Sequence, residues 1–160
     1  MMPQELFGYA GTAAMLGWLV LLLAPRRWPA LNAVPYLVIP AGLSALYAVL
    51  VLRHFAGAEG GYGSLSDVAA LFSNEWMLLA GWVHYLAFDL AIGAVMAHRM
   101  DSAALSRIVQ APILLSIFLF GPAGFLLALL ATGAMRLPSL PRPIFQPSTT
   151  LYEERSHVLA

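Results

Sequence analysis

Residues 71–99 read LFSNEWMLLAGWVHYLAFDLAIGAVMAHR, and this stretch decides the fold. Its apolar part, predicted as a helix over residues 76–97, is long enough to cross a hydrocarbon core of roughly 30 Å. It nevertheless carries His84 and Asp89 near its middle. An ionisable side chain at the centre of a spanning helix costs roughly 2.5–3.5 kcal/mol. We therefore expect these two residues to have a function.

The composition predicts an integral membrane protein. Of the 160 residues, 61% are hydrophobic and 10% are charged, whereas a soluble domain carries about 25% charged residues. The net charge is zero, which argues against a nucleic-acid partner. The chain has no cysteine, so disulfides, iron–sulfur clusters and Cys-ligated zinc are excluded.

Three further apolar stretches, residues 6–24, 34–52 and 111–134, are predicted to span the membrane. Gly121 and Pro122 lie near the midpoint of the last one. Pro122 cannot donate to the carbonyl of Phe118, so we expect a break there and a carbonyl that needs another partner. The predicted fold is all-α, an antiparallel bundle of four transmembrane helices over residues 1–135. The proline-rich residues 136–160 are predicted to be extended or disordered.

The arginines predict the orientation in the membrane. Four of them would lie on one side of this bundle and three on the other. The two groups are Arg26, Arg27, Arg99 and Arg107, and Arg53, Arg136 and Arg142. This small bias favours both termini outside the cytoplasm. A membrane protein that crosses the bilayer several times is expected in either orientation.

The third predicted helix has two different faces when its residues are placed at about 100° intervals. One arc is aliphatic: Leu79, Val83, Leu86, Ala87, Leu90 and Ala94. The other is aromatic, polar or glycine-bearing: Glu75, Gly81, Trp82, His84, Tyr85, Phe88, Asp89 and Gly93. We expect the aliphatic arc to face lipid and the polar arc to face the bundle. His84 and Asp89 would then border one cavity without bonding each other.

Ser44 and Tyr47 of the second predicted span and the break at Pro122 are expected at the same depth in the membrane as His84 and Asp89. The bundle would therefore enclose a small polar pocket. Such a pocket suits a long hydrophobic molecule with one oxygenated end. The candidate catalytic residues are His84 and Asp89. The candidate ligand-binding residues are Ser44, Tyr47, Trp82, Tyr85, Phe88, Gly121 and Pro122, with Glu75 as a secondary candidate.

Each candidate also has a structural explanation. Asp89 could be a protonated or hydroxyl-bonded structural residue, and His84 could bond across helices. Glu75 is equally explained as a first-turn acid favoured by the helix dipole. No metal site is expected, because His84 and Asp89 do not share a helix face and a third ligand is hard to find.

Several short motifs occur in order along all four predicted helices. They are Leu23-Ala24-Pro25, Val34-Pro35-Tyr36, Leu46-Tyr47, Phe72-Ser73-Asn74-Glu75, Trp82-Val83-His84, Asp89-Leu90 and Phe120-Gly121-Pro122-Ala123-Gly124. Together they resemble the signature of the plant neoxanthin synthase (abscisic-acid-deficient-4-like) family. The resemblance covers about residues 6–134.

The resemblance implies an isomerase that acts on a carotenoid or another isoprenoid lipid. Plant members are required to convert violaxanthin to neoxanthin, an epoxide-to-allene isomerisation that needs no redox cofactor. Burial disfavours the charged forms of both side chains, so Asp89 would donate a proton and His84 would accept one. The chain has no plastid transit segment, so we expect a bacterial member in the cytoplasmic membrane.

Two other functions remain open at this point. The protein could be a non-catalytic carotenoid- or lipid-binding helper, or an accessory subunit of a pigment-synthesis complex. It could also be a small proton or solute carrier with Asp89 as the relay. Four helices without inverted repeats would need a homo-oligomer for transport.

Overall fold

The computed structural model describes residues 2–134, which are almost entirely helical and contain no strand. The helices are α1 (Pro3–Leu23), α2 (Pro29–Ala33), α3 (Ile39–His54), α4 (Leu65–Phe72), α5 (Glu75–Ser102), α6 (Arg107–Phe120) and α7 (Pro122–Ala134). A π-helical turn, Val34–Val38, joins α2 to α3, and a 3-10 turn, Phe55–Gly57, follows α3. The all-α prediction is confirmed. The predicted tail, residues 136–160, lies outside the described residues.

Within residues 2–134, three helical segments are long and apolar enough to cross a membrane. They are Pro3–Leu23, Pro29–Gly57 and Glu75–Ser102. Two more apolar helices, Arg107–Phe120 and Pro122–Gly133, are shorter. Length and composition therefore indicate a membrane protein.

Helix α5 lies at the centre, in contact with α1, α3, α6 and α7. α1 runs beside it in the same direction and packs closely because glycines face large side chains at two points. A Cβ at Gly17 would come within 2.5 Å of Leu90, and one at Gly93 would come equally close to Trp18. A larger residue at either position would push the two helices apart.

The prediction that the aliphatic arc of α5 faces lipid is wrong. Leu79, Val83 and Leu90 are buried in the core, whereas His84 and Phe88 are exposed. Aliphatic side chains are as compatible with a helix interface as with lipid, so hydrophobicity alone does not distinguish the two. The packing of α1 and α3 against α5 decides which face is buried.

The predicted fourth span, residues 111–134, is two helices packed against each other. Gly121 separates them with a φ of +36°, a conformation that other residues rarely adopt. Gly124 of α7 lies directly on the backbone of Ser116 and Ile117 in α6, so that an added Cβ would overlap it. The chain therefore folds back at Gly121 instead of continuing across as a single bent helix.

A polar cluster joins the end of α5 and the start of α6 to the end of α1. Asp101 forms an ion pair with Arg26 at 2.9 Å and accepts a hydrogen bond of 2.7 Å from Gln110. Arg107, the first residue of α6, donates to the carbonyl of Leu22 at 2.7 Å. These contacts fix the start of α6 beside the C-terminal end of α1.

Candidate functional site

Asp89 lies in the middle of α5 with its carboxylate against the turn between α6 and α7. The side chain is buried, and a Cβ at Gly121 would lie 3.0 Å from its Oδ1 and 3.1 Å from its Oδ2. Within residues 2–134, Oδ2 has no hydrogen-bond partner. A buried carboxylate oxygen without a partner is costly. This arrangement places a carboxyl group inside the bundle, with no hydrogen-bond partner for its buried Oδ2 among the described residues.

Tyr85 lies one helical turn before Asp89 and faces the same break. Its hydroxyl donates a hydrogen bond of 2.9 Å to the carbonyl of Phe118. This is the carbonyl that Pro122 leaves without an intrahelical donor. Tyr85 therefore satisfies the backbone of the break and places a hydroxyl next to the carboxyl group.

An open groove of about 790 Å³ leads from Tyr85 towards the N-terminal ends of α1 and α5. Its walls are mainly apolar and include Phe7, Leu78 and Trp82. The Trp82 ring lies 5.3 Å from that of Phe7 and 5.4 Å from that of Tyr85. Glu75 and Gln4 line the other end. A slender apolar molecule could lie along this groove with an oxygenated end at the Tyr85 hydroxyl.

His84 lies on a different face of α5 from Asp89. It is exposed, its ring stacks on Phe88 at 4.7 Å, and it lies 5.3 Å from the ring of Tyr47. Ser44 is also exposed on α3. The structure therefore brings Tyr85, Asp89 and Gly121 together, but it does not bring His84 or Ser44 to them.

Two other predicted residues are placed near the groove or the break. Glu75 is the first residue of α5, which Asn74 caps by accepting hydrogen bonds from the backbone of Trp76 and Met77. Pro122 begins α7 and is exposed. Among the described residues, no group of three or more His, Cys, Asp or Glu side chains could hold a metal ion.

Sequence reasoning missed the residues that α1 and α4 contribute to the groove. Phe7 lies near the start of α1, and Phe72 ends α4 and contacts Gly81 of α5. Phe72 belongs to one of the short motifs described above, but neither residue was expected in the site, because aromatic residues are common near the ends of membrane helices. The parallel packing of α1 on α5 places Phe7 in the groove, and the contact of α4 with α5 places Phe72 there.

Comparison with known proteins gives one match. A protein-family model described as ABA4-like (ABA DEFICIENT 4-like) matches residues 5–127. This range includes all but the first two residues of α1, all of α2 to α6, the Gly121 turn and the first part of α7. No curated protein and no solved structure matches the chain.

Proposed function

The chain belongs to the ABA4-like family, and on that premise we propose that it acts on a carotenoid or another isoprenoid lipid inside a membrane. The observation that supports this most is the buried Asp89 carboxylate, which lies beside Tyr85 where that residue closes an apolar groove. A long isoprenoid would fit the groove, and its oxygenated end would meet the Tyr85 hydroxyl, beside which the Asp89 carboxyl group lies.

The proposed setting is a bacterial cytoplasmic membrane that the chain crosses several times. The three long apolar segments are the spans: α1, the continuous helix from Pro29 to Gly57, and α5. Asp89 would then lie near the middle of the bilayer, since it is halfway along α5. Ionisable groups at that depth are retained mainly where they serve a function.

The proposed chemistry is a cofactor-independent isomerisation. Opening an epoxide to an allene requires a proton on the oxygen as the C–O bond breaks, and removal of a proton from the neighbouring carbon. A protonated Asp89 would supply the first proton. Because His84 lies on another face, the carboxylate that remains on Asp89 is the base already at the site. The proton taken from carbon restores the acid, so the reaction needs no co-reactant.

A second candidate is a non-catalytic function, the binding of a carotenoid or lipid on its own or as part of a pigment-synthesis complex. The separation of His84 from Asp89 favours this alternative, because the acid and base predicted from the sequence do not share a cavity. Binding needs only the groove and one hydrogen-bonding group. Tyr85 supplies that group as an acceptor, because its hydroxyl oxygen can accept a hydrogen bond while its proton is donated to the carbonyl of Phe118.

Expression in a carotenoid-producing bacterium tests the two candidates, with pigment extracts compared by chromatography and mass. An isomerase would yield a product of unchanged mass that the host alone does not make. Asp89→Asn should abolish that product, because an amide cannot donate and recover the proton. His84→Ala, with the same membrane level and folding, should retain it.

Full conversion by Asp89→Asn would refute the isomerase mechanism. Pigment that copurifies with the wild-type protein but is never altered would instead support the binding function. The purified variants are compared by gel filtration in detergent, so that a loss of folding is not mistaken for a loss of chemistry.

A further inference from the structure

One face of α5 is packed against other helices in its C-terminal half and exposed in its N-terminal half. At about 100° per residue, Leu78, Trp82, Asp89, Met96 and Met100 lie within about 40° of one another around its axis. Leu78 and Trp82 are 56% and 41% exposed, whereas Asp89, Met96 and Met100 are 8%, 3% and 0% exposed. The cover therefore ends at the level of Asp89.

The cover is the pair of helices α6 and α7, which occupies only the half of the bundle near Arg26. α6 starts at Arg107, bonded to the end of α1, and reaches Asp89 after 14 residues. α7 then returns alongside α6, since Gly124 lies directly on the backbone of Ser116 and Ile117, and Ala128 is buried in one cluster with Leu114 and Ile117 of α6. With 13 residues, α7 is long enough to return to the level at which α6 started.

The distribution of arginines agrees with this return. A fourth span that crossed the membrane would leave four arginines near one face and three near the other, as the sequence predicted. If α7 instead ends on the Arg26 side, Arg136 and Arg142 follow on that side. Of the seven arginines within about 20 residues of a helix end, six would then lie on the Arg26 side and one, Arg53, on the other; Arg155 is further from the end of α7 and is not counted. Such a strong imbalance is typical of membrane proteins, and the arginine-rich face is cytoplasmic.

We propose that α6 and α7 form a re-entrant hairpin that enters and leaves the membrane on the cytoplasmic side. The uncovered half of α5 is then a lateral entry site for a linear isoprenoid chain from the opposite leaflet. The groove along Leu78 and Trp82 occupies the space that a complete fourth helix would have filled. Only the identification of the ligand as an isoprenoid rests on the proposed function, because the hairpin follows from packing and charge.

The absence of cysteine makes the topology directly testable. Single cysteines are placed at Gly133, at Gly61 and at Ala30, in the full chain. Gly133 and Gly61 have no atom within 4 Å of an added Cβ, and Ala30 is exposed. A membrane-impermeant maleimide is applied to spheroplasts before and after permeabilisation. We expect Gly61→Cys to react at once, and Gly133→Cys and Ala30→Cys to react only after permeabilisation.

Labelling of Gly133→Cys together with Gly61→Cys would overturn the hairpin. Labelling of Ala30→Cys in closed spheroplasts would overturn the assignment of the leaflet. A reporter fused after Ala160 gives a second measurement that does not depend on maleimide access. Green fluorescent protein should fluoresce there, and alkaline phosphatase should be inactive. The reverse result would overturn the proposal.

Two tryptophan variants test the entry site. Leu78 and Leu126 are each 56% exposed, but only Leu78 lines the groove. In a carotenoid-producing host, Leu78→Trp should reduce copurifying pigment at least fivefold, while Leu126→Trp should leave it unchanged. Equal pigment in both variants would overturn the entry site. The amount of copurifying pigment and the labelling pattern are both measured without turnover. A failure of the isomerase mechanism would therefore leave both results unchanged and can be told apart from a failure of this proposal.

Discussion

Replacement of Gly124 by alanine tests whether α6 and α7 really pack backbone to backbone. An added Cβ would lie 2.5 Å from the Cα of Ile117 and would overlap neighbouring backbone atoms. No side-chain rotation relieves such an overlap, so α6 would have to move by about 1 Å. Overpacking of this kind costs about 1–3 kcal/mol. We expect this overlap to lower the free energy of unfolding of Gly124→Ala by about 1–3 kcal/mol. The gain in helix propensity from alanine acts in the opposite direction and is corrected for by the control below.

Gly42→Ala is the matched control. Gly42 lies within α3, and an added Cβ meets nothing within 4 Å. Both variants gain roughly 0.8–1 kcal/mol of helix propensity, so the difference between them isolates the contact. For a chain of this size, a difference of about 1–3 kcal/mol corresponds to about 3–10 °C in Tm.

The assay is thermal unfolding of the purified proteins in detergent, followed by circular dichroism. Gly124→Ala should melt below Gly42→Ala by that interval. If Gly124→Ala melts at or above the control, the reasoning is refuted. In a single straight helix over residues 107–134, alanine at position 124 would be stabilising.

Two further substitutions probe hydrogen bonds described above. Tyr85→Phe removes the donor to the Phe118 carbonyl and should lower the free energy of unfolding by about 1–3 kcal/mol. Tyr47→Phe is the control and should lower it little. Equal melting temperatures of these two variants would contradict the hydrogen bond. Asp101→Asn removes the charge that pairs with Arg26, and since both side chains are partly exposed we expect a loss of about 1 kcal/mol that shrinks at high salt. An unchanged melting temperature in low salt would contradict a structural role for this pair.

The sequence predicted the break at Gly121 and its place beside α5, because the effect of a proline on its own helix is local. The missing donor to Phe118 follows from the chemistry of Pro122, whatever the fold. The direction of the chain after the break could not be predicted. It depends on the contact between Gly124 and α6, and a glycine in an apolar run indicates no particular partner.

The orientation of α5 was predicted wrongly for a related reason. In a soluble helix, the aliphatic face is the buried face, but in a membrane both environments accept Leu90 and Val83 equally well. Packing against α1 and α3 selects the buried face, and this selection cannot be read from α5 alone. As a result, the burial of Asp89 was predicted correctly, while that of His84 was not.

The half-length α6 and α7 also give the molecule a tapered shape. Five helical segments lie side by side near Arg26, whereas near Glu75 three long helices lie beside one another, with only the short α4 packed against α5. With a helix diameter of about 10 Å, the two ends differ in cross-section by roughly 150–200 Å². A wedge of this kind takes up more area in one monolayer than in the other. The protein should therefore favour bilayers that bend towards its narrow end, or lipids whose bulky tails fill the area beside that end.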